Sequence, residues 1–204
     1  MRKTLFIILF SVFIFKAYSQ NEFPLLNYQL GRTIGTTIDI IKNNEGMPDS
    51  EELLLDGIFS DIYYNNRTVM GCTTDISYSF FENKLYDVQY HFWGTYTLDR
   101  WIEIYINLFN KLNDIYGKHR SDENITDEQR IEWLRRNYEE KEMLENGILF
   151  SNGWSYHDRS IRYNTRITYI DLFFSYNNEL ETLEIYLSYI SNDFWNIRSM
   201  IEGS

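Results

Sequence analysis

The sequence predicts an α+β fold: two layers, with an antiparallel sheet built from two helix-then-β-hairpin units and packed by amphipathic helices. Three observations carry this. Residues 68–93 alternate apolar and polar side chains around a turn. Residues 98–116 repeat apolar side chains at helical spacing. After a charged stretch, the chain returns to β-rich runs from residue 149. Alternation with a period of two marks a strand with one buried face, and spacings of three and four mark one face of a helix.

The elements follow in order. Residues 1–19 have the form of a secretory signal peptide, with Arg2 and Lys3 ahead of an apolar run over 5–15 and then Ala17-Tyr18-Ser19, small at both cleavage positions. The cut falls between Ser19 and Gln20, and 20–204 is read as one domain. The apolar run is too short for a spanning helix, which needs about 20 residues, and no later segment is long and apolar enough. A short helix starts near Thr36 or Thr37 and stops at Gly46-Met47-Pro48. The acidic stretch 49–57 is expected to add a helical turn. Residues 58–64 form a strand ending at an Asn65-Asn66 turn; 68–81 and 85–93 form a hairpin around Glu82-Asn83-Lys84.

Thr97 caps the clearest helix, and Gly117 ends it. Trp101, Ile104, Tyr105, Leu108, Leu112 and Ile115 share its apolar face. Thr126-Asp127-Glu128-Gln129 reads as a capping box opening a charged helical insertion over 126–145. Strands are expected at 149–156, 166–176 and 180–190, and a short terminal helix at 192–202. Phe81-Glu82-Asn83-Lys84-Leu85 with Val88 is echoed by Tyr176-Asn177-Asn178-Glu179-Leu180 with Leu183. The echo suggests tandem units over 31–93 and 98–190.

Composition narrows the function. The chain has 204 residues, 44% hydrophobic and 18% aromatic, too apolar for intrinsic disorder. Its single Cys, Cys72, excludes an intramolecular disulfide and reads as a core thiol. A net charge of −11 argues against nucleic acid. Loss of Arg2, Lys3 and Lys16 with the signal makes it −14. No cofactor motif occurs. His91, His119 and His157 lack metal-ligand spacing, and Asp122–Asp127 misses the calcium-loop pattern. The carboxylates Asp99 with Glu103, and Glu139, Glu140 and Glu142, read as solvated helix faces.

Gly35, Thr37, Ile41, Gly46 and Pro48, followed by Phe81-x-Asn83-x-Leu85, form a pattern. It resembles the helix-plus-hairpin unit of the small outer-membrane assembly lipoproteins and the β-lactamase inhibitor proteins. That resemblance implies a similar fold unit and, for the inhibitors, a tandem unit whose concave sheet binds a target protein. It carries over no catalytic residue.

The functional lead is aromatic. If Val88, Tyr90 and Phe92 face the helices, Gln89, His91 and Trp93 face outward; in the last strand Leu183, Ile185 and Leu187 face in, while Glu184 and Tyr186 face out. His91, Trp93 and Tyr186 are therefore the candidate partner-binding residues. The sequence reads as a secreted or periplasmic, non-enzymatic, protein-binding module of inhibitor or immunity type, with no metal and no cofactor. The alternatives are an accessory of cell-envelope assembly and an enzyme whose carboxylate or histidine site is not recognisable from sequence.

Overall fold

The computed structural model describes residues 36–117, 127–137, 148–157, 167–177 and 182–191, together with Ser199. Helix α1 spans Ile38–Glu45, and strands β1 to β4 span Ser50–Leu54, Phe59–Val69, Cys72–Phe81 and Lys84–Trp93. Helices α2 (Leu98–Tyr116) and α3 (Asp127–Asn137) follow, then β5 (Ile148–His157), β6 (Ile167–Asn177) and β7 (Thr182–Ser191). All strands join one seven-stranded sheet in the order β1-β2-β3-β4-β7-β6-β5. Every neighbouring pair is antiparallel. The fold is α+β, as its alternation and helical stripe predict.

Helix α1 begins after Thr37, as the motif implies, but the Thr37 side chain makes no cap bond. The Ile38 N–H instead donates to Asn83 Oδ1 at 3.0 Å. The Leu85 N–H donates to the Thr36 carbonyl at 2.8 Å. Two residues of the pattern, Asn83 and Leu85, thus tie the β3–β4 turn to the helix start. At the other end the Tyr64 hydroxyl donates to the Gly46 carbonyl at 2.8 Å. The pattern is explained by docking one helix on one hairpin.

The acidic stretch after α1 is strand β1 and a turn, not a helical turn. Its pairing with β2 overrides its local charge pattern, and all five of its residues are exposed. Asn65-Asn66 does not end a strand either. It forms a bulge inside β2, with the Asn66 N–H donating to Asp75 Oδ1 at 2.8 Å. The true turn is Met70-Gly71, both left-handed at φ 53° and 72°. Glu82-Asn83 repeats this geometry at 47° and 59°. Two successive left-handed residues match the twist of a two-residue hairpin.

The core lies between one sheet face and the helices. Ile62, Tyr64, Ile76, Tyr78, Phe80, Val88, Tyr90 and Phe92 meet Ile185, Leu187 and Tyr189 there. Ile41 of α1, Leu134 of α3 and Trp101, Ile104, Tyr105, Leu108 and Leu112 of α2 close it. Cys72 is buried in this core, and burial raises its thiol pKa. Two details of α2 differ from its helical stripe: Ile102 is buried, while Ile115 in the last turn is half-exposed. The Thr97 hydroxyl accepts from the Arg100 N–H at 3.4 Å, and Gly117 follows the helix with positive φ. Residues 138–145 of the charged insertion, the capping Thr126 and, apart from Ser199, the expected terminal helix at 192–202 lie outside the described residues, as does His119.

Candidate binding face

Side chains alternate across the pleat, so β4 and β7 send every second residue away from the helices. Cross-strand register sorts this outer face into rows. One row runs Asp75, His91, Tyr186, Phe173 across β3, β4, β7 and β6. A second runs Ser77, Gln89, Ser188, Asp171. A third runs Glu52, Asp61, Ser79, Asp87, Ile190, Tyr169 from β1 to β6. Among the described residues no helix lies on this face. The described part of α3 packs on the other side, where Leu134 joins the core and Arg135 meets Asp99 of α2 at 3.6 Å.

His91, Trp93 and Tyr186 all stand on this face, and all three are partly exposed. His91 and Tyr186 are direct cross-strand partners, and their rings stack with centroids 4.4 Å apart and planes only 4° from parallel. Trp93 continues the same face of β4. Its predecessor Phe92 pairs with Ile185, so Glu184 is its neighbour across the strands. The Trp93 indole Nε1 is enclosed and has no hydrogen-bond partner among the described residues. Beyond it the chain leaves β4 at Gly94, where φ is 137° and a Cβ would come within 2.7 Å of the Tyr96 ring. Thr182 of β7 donates its hydroxyl to the Gly94 carbonyl at 3.2 Å, clamping the end of β4 to the start of β7.

Glu184 holds the cluster together. Alternation puts it on the outward phase, yet it is only 2% exposed. Tyr186 donates its hydroxyl to Glu184 Oε2 at 2.9 Å, and Asn177 donates its amide to Oε1 at 3.0 Å. His91 Nε2 lies 3.2 Å from Oε2, an ionic approach when the ring is protonated. The alignment is too poor for a hydrogen bond, and among the described residues the nitrogen has no other partner. Burial, and then the hydrogen bond to Glu184, push the Tyr186 phenol well above its usual range. Tyr186 is therefore a neutral donor at physiological pH, fixed on its carboxylate.

The sequence located the three aromatic positions but not their anchor. An outward-phase Glu reads as solvated, and its burial follows from the packing of β7 against β4 and β6. Among the described residues, the carboxylate candidates Asp99 and Glu103 do not form a cleft. Asp99 and Glu103 are exposed and are met by Arg135 and Arg100. Glu139, Glu140 and Glu142 and most of the 122–127 loop lie outside the described residues. Among the described residues, no group of three or more His, Cys, Asp and Glu is arranged to hold a metal ion. None of their helices is long and apolar enough to cross a membrane. No family model, no curated protein and no solved structure matches this chain.

Proposed function

We propose that this chain is an exported protein-binding module of inhibitor or immunity type, acting through the outer sheet face around His91, Trp93 and Tyr186. The observation that carries this reading is the His91–Tyr186 stack over the buried, hydrogen-bonded Glu184. Rigid aromatics lose little entropy when a partner covers them, which is why such groups dominate interface energies. The acidic charge supports a basic target, drawn in by electrostatic steering. The role is one of binding rather than catalysis, and the compartment is secreted or periplasmic.

The resemblance supports the same reading through its tandem form. The shift in numbering that carries Leu85 to Leu180 and Val88 to Leu183 also carries His91 to Tyr186. Those two residues face each other where β4 meets β7. We read this as two helix-then-hairpin units related by a local two-fold axis through the stack.

Affinity capture from the native envelope or medium tests the proposal, comparing the parent with a Trp93→Ala, Tyr186→Ala double variant. The variant keeps its fold and loses the specific partner. Equal recovery of the same partner by both overturns the reading. A second reading, an accessory of envelope assembly, draws on the docking of α1 onto the β3–β4 turn through Asn83 and Leu85. Cell fractionation separates the two, since a protein found only in the medium counts against envelope assembly.

A further inference from the structure

A second surface lies at the edge of the sheet. Strand β1 pairs only with β2 among the described residues, leaving its other edge without a strand. Natural edge strands are short, charged or covered, because free N–H and C=O groups invite another strand. β1 carries charge at Glu51 and Glu52, but its second half is apolar. Leu53 is 66% exposed, Leu54 43%, and the turn that follows adds Leu55 at 40% and Ile58 at 47%. The turn is conformationally costly as well. Leu55, Asp56 and Gly57 are all left-handed, at φ 50°, 54° and 85°, and that region is unfavourable for the two residues bearing side chains. Exposed leucines displayed by a strained turn beside an open edge suit strand addition.

The charges specify the occupant. Glu51 is already matched by Lys42, at 2.7 Å. Glu52 stands directly opposite Asp61 of β2, and the Tyr63 hydroxyl contacts both carboxylates. Burial, with these two acids, raises the Tyr63 phenol to about 12. Like charges directly opposite each other destabilise a sheet. A strand added outside β1 with a basic side chain opposite Glu52 relieves that repulsion, and in an alternating strand the next residue sets an apolar side chain against Leu53 on the other face, while the aliphatic stem of the following basic residue lies along Leu54. A second copy of this chain fits badly. Full antiparallel pairing of Ser50–Leu54 with itself sets Glu52 against Glu52, between two chains that each carry −11.

We infer that the β1 edge accepts an extended segment of a partner protein with alternating basic and apolar residues, bound by strand addition with a Lys or Arg opposite Glu52. Glu52 stands on the same outer face, but β2 and β3 separate this edge from the aromatic cluster on β4 and β7, and strand addition here does not depend on that cluster.

The test uses a labelled seven-residue peptide of alternating lysine and valine, a glutamate–valine peptide of the same length, and a lysine–valine peptide with a central proline. Anisotropy gives affinity, and hydrogen exchange reads protection of residues 50–54. The lysine peptide binds and protects β1, whereas the proline and glutamate peptides bind at least about tenfold more weakly. Glu52→Lys reverses the preference between lysine and glutamate peptides, with a change of about fivefold to tenfold in each affinity. Its fold is retained because it replaces a repulsion with an attraction to Asp61. The Trp93→Ala, Tyr186→Ala variant binds the lysine peptide as the parent does. The inference is overturned if Glu52→Lys leaves the preference unchanged, if the peptide protects β4 or β7 instead, or if the edge is occupied by self-association in sedimentation.

Discussion

The two faces of β4 and β7 are made from the same strands and share an aromatic character, yet they behave differently. On the inner face Tyr90 and Phe92 are completely buried; Tyr90 stacks on Phe92 at 6.4 Å and meets Tyr189 edge-on at 6.1 Å. On the outer face His91, Trp93 and Tyr186 are aligned but only partly covered. Inner aromatics gain their free energy from burial within this chain. Outer aromatics are held by pairing and by the Glu184 bonds, and part of their surface stays exposed. Order without full burial is the property on which the proposed binding role rests.

The largest expected effect breaks the inner side. Phe92→Ala empties a closed site and should cost about 3–5 kcal/mol by denaturant unfolding. On the outer side the sensitive position is the anchor. Glu184→Ala leaves the Tyr186 hydroxyl and the Asn177 amide without their acceptor and should cost about 1–3 kcal/mol, measured the same way. A loss below a few tenths would mean that the outer cluster is not held by its carboxylate.

Alkaline titration sharpens the contrast. Burial raises the phenols of Tyr189 on the inner face and of Tyr186 and Tyr63 on the outer face, Tyr63 to about 12. A folded pKa above the unfolded value of about 10 means that the folded state holds the proton more tightly. That stability is complete below about pH 10 and is lost as pH rises through the folded values. Phenolate absorbance followed with circular dichroism should show Tyr63 titrating while the fold persists. Tyr189 should titrate only with unfolding, and Tyr189→Phe should remove its share of the late absorbance change. The smallest effect belongs to the edge, where Glu52→Lys should gain up to about 1 kcal/mol by replacing a like-charge pair.

How much of this was legible depended on whether burial imprinted a period. Ile76, Tyr78 and Phe80 alternate with Ser77 and Ser79, and β3 follows directly from them. Helix α2 was equally plain, apart from Ile102 and Ile115. Strand β1 left no imprint because both of its faces are exposed, so its acids suggested a helical turn instead. The Met70-Gly71 turn was hidden inside an apolar run, while Asn65-Asn66 advertised a turn and made a bulge. At the site, phase alone identified His91, Trp93 and Tyr186 as outward. The stack of His91 on Tyr186 needs residues from two distant strands, and no local pattern specifies that β4 pairs with β7. The burial of Glu184 is likewise a consequence of that pairing.

Hydroxyl-radical footprinting of the protein, alone and with its captured partner, tests the difference between the faces most directly. Oxidation should reach Trp93 and Tyr186 in the free chain and fall sharply in the complex, while Tyr90, Phe92 and Trp101 stay unmodified in both. Equal oxidation of Trp93 and Tyr186 with and without partner would contradict a binding role for the outer face.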